Sequence, residues 1–122
     1  MPRTTIAAVE TGGGYNYDGI VCTGTAADTS NQNQTPCTGR EIIVARNSGA
    51  SGRTVTVTGA ATRGTNRTAS ISADSIAAGV SQVYGPFPVD GWRQADGMLY
   101  FEANNAEVLF TVLRLPSAQF GT

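Results

Sequence analysis

Two aspartates on either side of the single tryptophan are the residues of this sequence whose type and spacing could do acid–base chemistry. Asp90 and Asp96 flank Trp92, and a pair of carboxylates near an aromatic ring is what a glycosidase would use. Each aspartate directly precedes a glycine, however, and Asp-Gly is a common dipeptide of tight turns. We therefore interpret both aspartates as turn residues, with weak glycosidase activity as a minor alternative.

The sequence lacks the side chains that most other enzyme mechanisms need. It contains no histidine and no lysine, and all eight basic residues are arginine. It therefore offers no proton carrier that titrates near neutral pH and no amine nucleophile. The glycine run Gly12–Gly14 is not followed by the lysine and helix of a phosphate-binding loop. We expect no catalysis and no cofactor.

Metal binding is also not expected. The polar loop 28–33 carries several oxygen-bearing side chains, but it lacks the glycine and the distal glutamate that a calcium loop needs at defined spacing. Cys22 and Cys37, the only cysteines, match no four-ligand zinc pattern. No apolar run of signal-peptide length occurs at the N-terminus, so we expect reduced thiols, with a disulfide formed late in an oxidising medium as the alternative.

Because we expect no catalysis, we look for function in surfaces that bind other molecules. Aromatic residues and arginine are enriched at the energetic centres of protein interfaces, and Trp92 beside Arg93 is the pair to test first. The alternative is that aromatic rings such as Trp92 and Phe87 fill the core, as we expect for Phe101 and Phe110. The candidate interface residues are Tyr15, Tyr17, Tyr84, Phe87, Trp92, Arg93 and Phe120.

The elements that would position these residues are short β-strands. A hairpin is predicted in which Trp92–Gln94 runs in, an Asp-Gly turn follows, and Met98–Glu102 runs back. Pro86 and Pro88 cannot donate to a strand ladder, so the segment before the hairpin is expected at a sheet edge or in a crossover.

Two longer runs predict central strands. Arg40–Asn47 and Glu107–Leu115 are apolar on both faces, which is typical of strands in the middle of a packed sheet. Arg53–Thr58 alternates valine with threonine and is expected to form a hairpin with Arg40–Asn47. Asp74–Gly79 could form one helical turn capped by its aspartate. Further short strands are predicted at 19–25, 68–72 and 81–84.

These patterns together predict an all-β protein with a single domain. About eight short strands, separated by Gly, Pro, Asn and Asp, indicate an antiparallel β-sandwich, and a jelly roll is favoured. An immunoglobulin-type sandwich is second, because Cys22 and Cys37 are too close in sequence for its usual disulfide. We expect an extended N-terminal arm at 1–18, the sandwich at 19–116 and a tail at 117–122. The arm is either disordered or orders on a neighbouring molecule through its tyrosines.

The charge balance disfavours some partners. The net charge is −1 and acidic and basic residues are mixed along the chain, so no field would attract a phosphate backbone or an anionic membrane. No stretch of the sequence approaches the length of an apolar membrane span. We therefore expect neither nucleic-acid nor membrane binding.

Three separate segments resemble one known family. They read PCTGREIIVARNSGASGRTVTVT at Pro36–Thr58, GPFPVDGWRQADGMLYFEA at Gly85–Ala103 and EVLFTVLRL at Glu107–Leu115. Over roughly residues 20–115 the chain resembles the head decoration, or cement, proteins of tailed bacteriophages. The resemblance implies a β-sandwich that binds the major capsid protein on the outside of the assembled capsid. It transfers no catalytic or ligand residue.

The resemblance leads to a functional hypothesis and leaves an alternative. The chain would be a structural virion protein on the capsid exterior, made in the cytoplasm of a host bacterium. A homotrimer on three-fold positions is suggested by the two-faced strand Glu107–Leu115 and by the arm. The alternative is a carbohydrate- or host-surface-binding module in which Trp92 and Tyr100 stack on sugars.

Overall fold

Alternating hydrophobic residues build two β-sheets that face each other across one core. The structure, a computed structural model, describes residues 3–10, 22–60 and 70–115. Within these residues the strands are β1 Thr4–Thr5, β2 Val9–Glu10, β3 Thr25–Ala26, β4 Asn33–Pro36, β5 Glu41–Asn47, β6 Arg53–Thr58, β7 Ile71–Ile76, β8 Ser81–Tyr84, β9 Met98–Ala103 and β10 Val108–Arg114. A tight turn, α1, spans Val89–Trp92, and its central residues Asp90 and Gly91 have non-helical backbone angles.

The strand order is that of a jelly roll. Sheet A has the order β1-β4-β9-β6-β7, and sheet B has the order β2-β10-β5-β8 with β3 also paired to β10. From β3 to β10 the chain changes sheet at every connection except the hairpin β6–β7. The resulting antiparallel sets β4-β9-β6-β7 and β3-β10-β5-β8 are the two four-stranded halves of a jelly roll. The predicted all-β sandwich is confirmed.

The core consists of the inward-facing residues of the central strands. Phe101 of β9 and Phe110 of β10 are fully buried, and their rings meet edge to face with centroids 4.8 Å apart. Each such side chain contributes roughly 1.5–3 kcal/mol through burial. The inner residues around these rings are Ile43, Ala45, Val55, Val57, Ile76, Leu99, Val108 and Val112. Phe101 and Phe110 thus occupy the core, as predicted.

The beginning of the N-terminal arm is extended, as predicted, but it is docked on its own domain. β1 pairs in parallel with β4 at the edge of sheet A, and β2 pairs in parallel with β10 in sheet B. Between them Ile6 is 7% exposed and its N–H donates to the Gln34 carbonyl at 2.9 Å. Ile6 of the arm therefore packs into the core of the sandwich.

The connection between β5 and β6 differs from the predicted hairpin. β5 pairs with β10 and β8, whereas β6 pairs with β9 and β7, so the two strands lie in different sheets. The buried Asn47 side chain holds the crossing. Its Nδ2 donates to the carbonyls of Ser51 at 2.7 Å and Ile76 at 3.0 Å, and its Oδ1 accepts from the Gly49 N–H.

Two further elements depart from the sequence prediction. The helical turn expected at Asp74–Gly79 is absent, because Asp74 lies inside β7, where a shift in register between Val55 and Val57 of β6 bends the pair. In place of a strand at Trp92–Gln94 the chain forms α1, with Gly91 at φ 99°. The prolines before α1 lie in the crossover from β8 to β9, as predicted. The returning strand β9 is confirmed.

Candidate functional site

The two aspartates near Trp92 are used in local structure. Asp96 accepts hydrogen bonds from the Met98 N–H at 3.1 Å and from the Tyr100 hydroxyl at 2.7 Å. The bond from Tyr100, supported by that from Met98, lowers the pKa of Asp96 and favours its ionised form. Asp90 lies in α1 before Gly91. This geometry supports turn chemistry, since a general acid needs a raised pKa.

The polar loop 28–33 is organised around one carboxylate. Asp28 accepts from the backbone N–H groups of Ser30 and Asn31, both at 3.0 Å, and from the Thr4 hydroxyl. The Thr4 bond is the largest of the contacts that lower the pKa of Asp28. The loop therefore fastens β1 to the sandwich. Among the described residues no group of three or more His, Cys, Asp or Glu side chains could hold a metal ion.

The two cysteines lie in different environments. Cys22 is exposed, Cys37 is buried, and no disulfide joins them. Burial raises the pKa of the Cys37 thiol, whose Sγ lies 3.9 Å from the Phe87 carbonyl oxygen.

Trp92 and Arg93 form an exposed corner attached to the core. The Trp92 indole is partly buried and meets the Phe87 ring edge to face, with centroids 4.9 Å apart. Arg93 is exposed, and its guanidinium lies alongside Gly97. Gln94 anchors the corner by donating from Nε2 to the carbonyls of Thr58 and Gly59. Trp92 therefore supports the fold and also offers part of its ring to a partner.

Two of the predicted interface residues belong to the core instead. Phe87 is 2% exposed and Tyr84 is 8% exposed. The Tyr84 hydroxyl lies 2.7 Å from Asp74 Oδ2 and from Gln82 Oε1, which links β8 of sheet B to β7 of sheet A. Burial, followed by the hydrogen bond to Asp74, raises the pKa of Tyr84. Neither ring is available at the surface of the single chain.

The other predicted interface residues cannot be located. Tyr15, Tyr17 and Phe120 lie outside the described residues. Their proposed roles stay predictions.

The outward surface of sheet B is an apolar face that crosses four strands. Leu113 of β10 lies opposite Val9 of β2 on one side and Ile42 of β5 on the other. One row along, Val44 of β5 lies opposite Val83 of β8. Val9 is 47% exposed and Val83 is 64% exposed. We call these residues, with Leu109, the apolar face. Thr111 and the exposed Arg46 interrupt it, since Thr111 lies opposite Val44 and Arg46 opposite Leu109.

The outward surface of sheet A is polar by comparison. β6 contributes three threonines to it, and β9 contributes Tyr100 and Glu102. The Arg3 guanidinium lies 4.1 Å from the centre of the Tyr100 ring and donates to the Asn33 carbonyl at 3.0 Å. Because Arg3 covers one face of the ring, Tyr100 offers a sugar only its other face.

A pocket of about 120 Å³ lies beside the apolar face. It opens at the edge of β10 between β2 and β3, and its lining includes Ile6, Val9, Phe110 and Val112. Among the described residues that line it, none is charged.

Sequence reasoning missed the apolar face because the face is built from strands that are distant in sequence. Leu109 and Leu113 carried a signal, since Glu107–Leu115 was seen to be apolar on both sides. The isolated Val9 and Val83 carried none, because single surface valines are ordinary. Only the strand order places them beside Leu113 and Val44.

Among the described residues no helix has the length and apolar character needed to span a membrane.

Comparison with known proteins leaves the family open. No family model, no curated protein and no solved structure matches the chain.

Proposed function

We propose that the protein is a structural subunit that decorates and stabilises the head of a tailed bacteriophage. It binds the outer surface of the capsid across neighbouring major capsid subunits, after synthesis in the cytoplasm of the host bacterium. The observation that carries the proposal is the apolar face, on which the exposed Val9 and Val83 lie in neighbouring rows beside outward-facing apolar residues of β10 and β5. The resemblance of three segments to decoration proteins supports it.

The physical argument starts from the sheet. An exposed apolar patch on a soluble domain marks an interaction site. The strands β10 and β5 at the centre of the face are paired over seven residues from Val108 to Arg114, so the face is rigid and little conformational freedom is lost when it binds. A capsid repeats the same site many times, and a subunit that contacts two capsomers at once gains further from avidity. Modest binding by each copy is therefore enough.

The assembled form in this proposal is a homotrimer. A capsid offers three-fold and quasi-three-fold positions, and a subunit that bridges capsomers there satisfies their symmetry by forming a closed ring of three. The central strand β10 supplies buried residues to the core on one side and Leu109 and Leu113 to the apolar face on the other. Light scattering of the full chain tests this part, and a stable monomer that sits singly on capsids would remove it.

The decisive experiment is co-sedimentation of the purified chain with phage heads that lack the subunit. We expect saturable binding to these heads and no binding to heads that already carry the subunit. Heads that gain no protein, or that gain it without becoming more resistant to heat or internal pressure, would contradict the proposal.

A second candidate is a glycan- or host-surface-binding module. The observation that favours it is the Trp92 ring, which is partly exposed beside Arg93 in a corner that precedes β9. Jelly rolls serve both capsid and lectin domains, so the fold does not choose between the two. Glycan-array binding that is lost in Trp92→Ala, together with no affinity for heads, would establish this candidate.

A further inference from the structure

One edge of β10 is incompletely paired in the described structure. β3 covers this edge at Leu109 and Phe110, and β2 covers it at Leu113 and Arg114. Among the described residues no strand covers the two positions between them, Thr111 and Val112, on this edge. The gap is about 7 Å long, since a strand rises about 3.4 Å per residue. It admits a side chain but not a further strand.

The pocket lies at this gap and suits an uncharged ring. Its volume is about 120 Å³, and its rim includes the exposed residues Ala7, Thr23 and Thr25. A buried cavity only slightly larger, of about 150 Å³ and with an apolar lining, binds benzene. The floor of this pocket is also apolar, because Ile6, Phe110 and Val112 belong to the core.

We infer that this pocket receives the ring of Phe120 from a second copy of the chain. The inference deepens the self-association in the proposed function and rests on it. The segment 116–122 follows β10 directly, it carries no charged side chain, and Phe120 is its one aromatic residue. Five residues separate Phe120 from Leu115, so the ring can extend about 17 Å from the end of the strand.

The geometry of β10 favours a second copy over the same chain. A segment that folded back along its own β10 would meet β2 on one edge and β5 on the other at Leu113 and Arg114. A two-residue turn at 115–116 would bring Phe120 opposite Thr111, but the returning segment would have to occupy the place that β2 takes beside Leu113 and Arg114. Exchange between copies avoids this obstruction, and a head-to-tail contact of this kind forms a trimer when the rotation between copies closes the ring.

Disulfide trapping between two different chains tests the inference. Cys22→Ser removes the exposed thiol, while Cys37 is buried. In this background one chain carries Ala7→Cys at the pocket rim, and the other carries Gly121→Cys beside the intact Phe120. After mixing and mild oxidation we expect the two chains to form a disulfide-linked pair. In the control, Ser75→Cys, which is exposed in sheet A, replaces Ala7→Cys, and the yield of linked pair should be about tenfold lower. Adding Phe120→Ala should lower the yield by about the same factor.

The other outcomes overturn the inference in distinguishable ways. A yield no higher than the Ser75→Cys control would exclude Phe120 from the pocket. A further variant carries both Ala7→Cys and Gly121→Cys on one chain and is diluted into chains without introduced cysteines. If the disulfide forms only within this variant, Phe120 binds the pocket of its own chain. Stronger trapping from Tyr15→Cys would assign it to the N-terminal arm. If light scattering still shows a trimer in these cases, the proposed self-association stands and only the role of Phe120 falls.

Discussion

The carboxylate of Glu41 has no solvent exposure and joins the ends of two central strands. Its Oε2 accepts from Arg114 Nε at 2.6 Å and from the Thr38 hydroxyl at 2.7 Å, and its Oε1 accepts from the Thr38 N–H at 2.7 Å. Burial alone would raise the pKa of Glu41, but the hydrogen bonds from Arg114 and Thr38 outweigh it and lower the pKa. The ionised form is therefore stabilised by folding.

This lowered pKa predicts a loss of stability in acid. The native state binds fewer protons than the unfolded state between the lowered pKa and the usual value of 4.5, so the stabilisation is present above pH 4.5 and is lost as the pH falls through the lowered value. Glu41→Gln should cost about 3 kcal/mol at neutral pH, because it removes the buried carboxylate charge to which Arg114 and Thr38 donate. Urea unfolding at several pH values measures both effects.

The acid series has a matched control on the surface. Glu102 is partly exposed and lies 3.8 Å from Arg3, so Glu102→Gln should change the free energy of unfolding by less than about 1 kcal/mol. We expect the difference between wild type and Glu41→Gln to narrow towards acid pH. A difference of constant size from neutral to acid pH would show that Glu41 contributes through packing and not through its charge.

Trp92 makes a second prediction at the scale of single residues. Its ring packs on Phe87 and the edge of the core but is only partly buried, so Trp92→Ala should lower the free energy of unfolding by about 2 kcal/mol, less than a fully buried ring would. Arg93→Ala, at an exposed position, should change it by less than about 0.5 kcal/mol. Urea unfolding and head binding are measured on both variants. An unchanged stability with weakened binding would make Trp92 an interface residue only.

At the scale of elements, strands with a clear local pattern could be predicted from sequence. β6 alternates valine and threonine, and β5 and β10 are apolar on both faces. The alternation of side chains with a period of two residues and the β-branched residues favour these strands from local sequence alone. The central position of β5 and β10 then follows from their apolar residues on both faces. The jelly roll was predictable because few architectures accommodate so many short strands.

Elements that depend on distant contacts could not be predicted. The turn sequence after Asn47 is compatible with a hairpin in one sheet and with a crossing to the other sheet. Only the long-range hydrogen bond from Asn47 to the Ile76 carbonyl distinguishes the two. The pairing of β1 with β4 has no local signal. An aromatic residue in a sequence indicates a large hydrophobic side chain but not where that side chain lies. Tyr84 and Phe87 were therefore predicted at a surface, whereas they lie in the core. The apolar face was invisible for the same reason.

The close approach of β3 to β10 makes a prediction about this element. Gly24 has φ +82°, and a Cβ at this position would lie 2.7 Å from Leu109 Cβ. Gly79 has φ +75° with no atom within 4 Å of such a Cβ. Gly79→Ala should therefore cost about 1 kcal/mol through its backbone alone, and Gly24→Ala should cost more because β3 must also move. Thermal unfolding of both variants tests this, and equal losses would show that β3 shifts freely.

At the scale of the whole molecule, the two outward surfaces have different chemistry. Sheet A presents threonines, Tyr100 covered by Arg3, and Glu102. Sheet B presents the apolar face with the pocket at its border. A protein whose outward surfaces are this unequal is expected to bind through one of them and to present the other to solvent. If the protein binds a capsid as proposed, we expect sheet B to face the partner.

This orientation predicts how a single glutamate introduced on each sheet would change stability and binding. Val83 is 64% exposed in β8, so Val83→Glu should change the free energy of unfolding by less than about 0.5 kcal/mol. Burying its carboxylate in an interface is costly, and we expect self-association or head binding to weaken by about tenfold or more. Ser75→Glu, exposed in β7 of sheet A, is the control and should leave both unchanged. If Ser75→Glu weakens binding and Val83→Glu does not, sheet A faces the partner and the orientation proposed here is reversed.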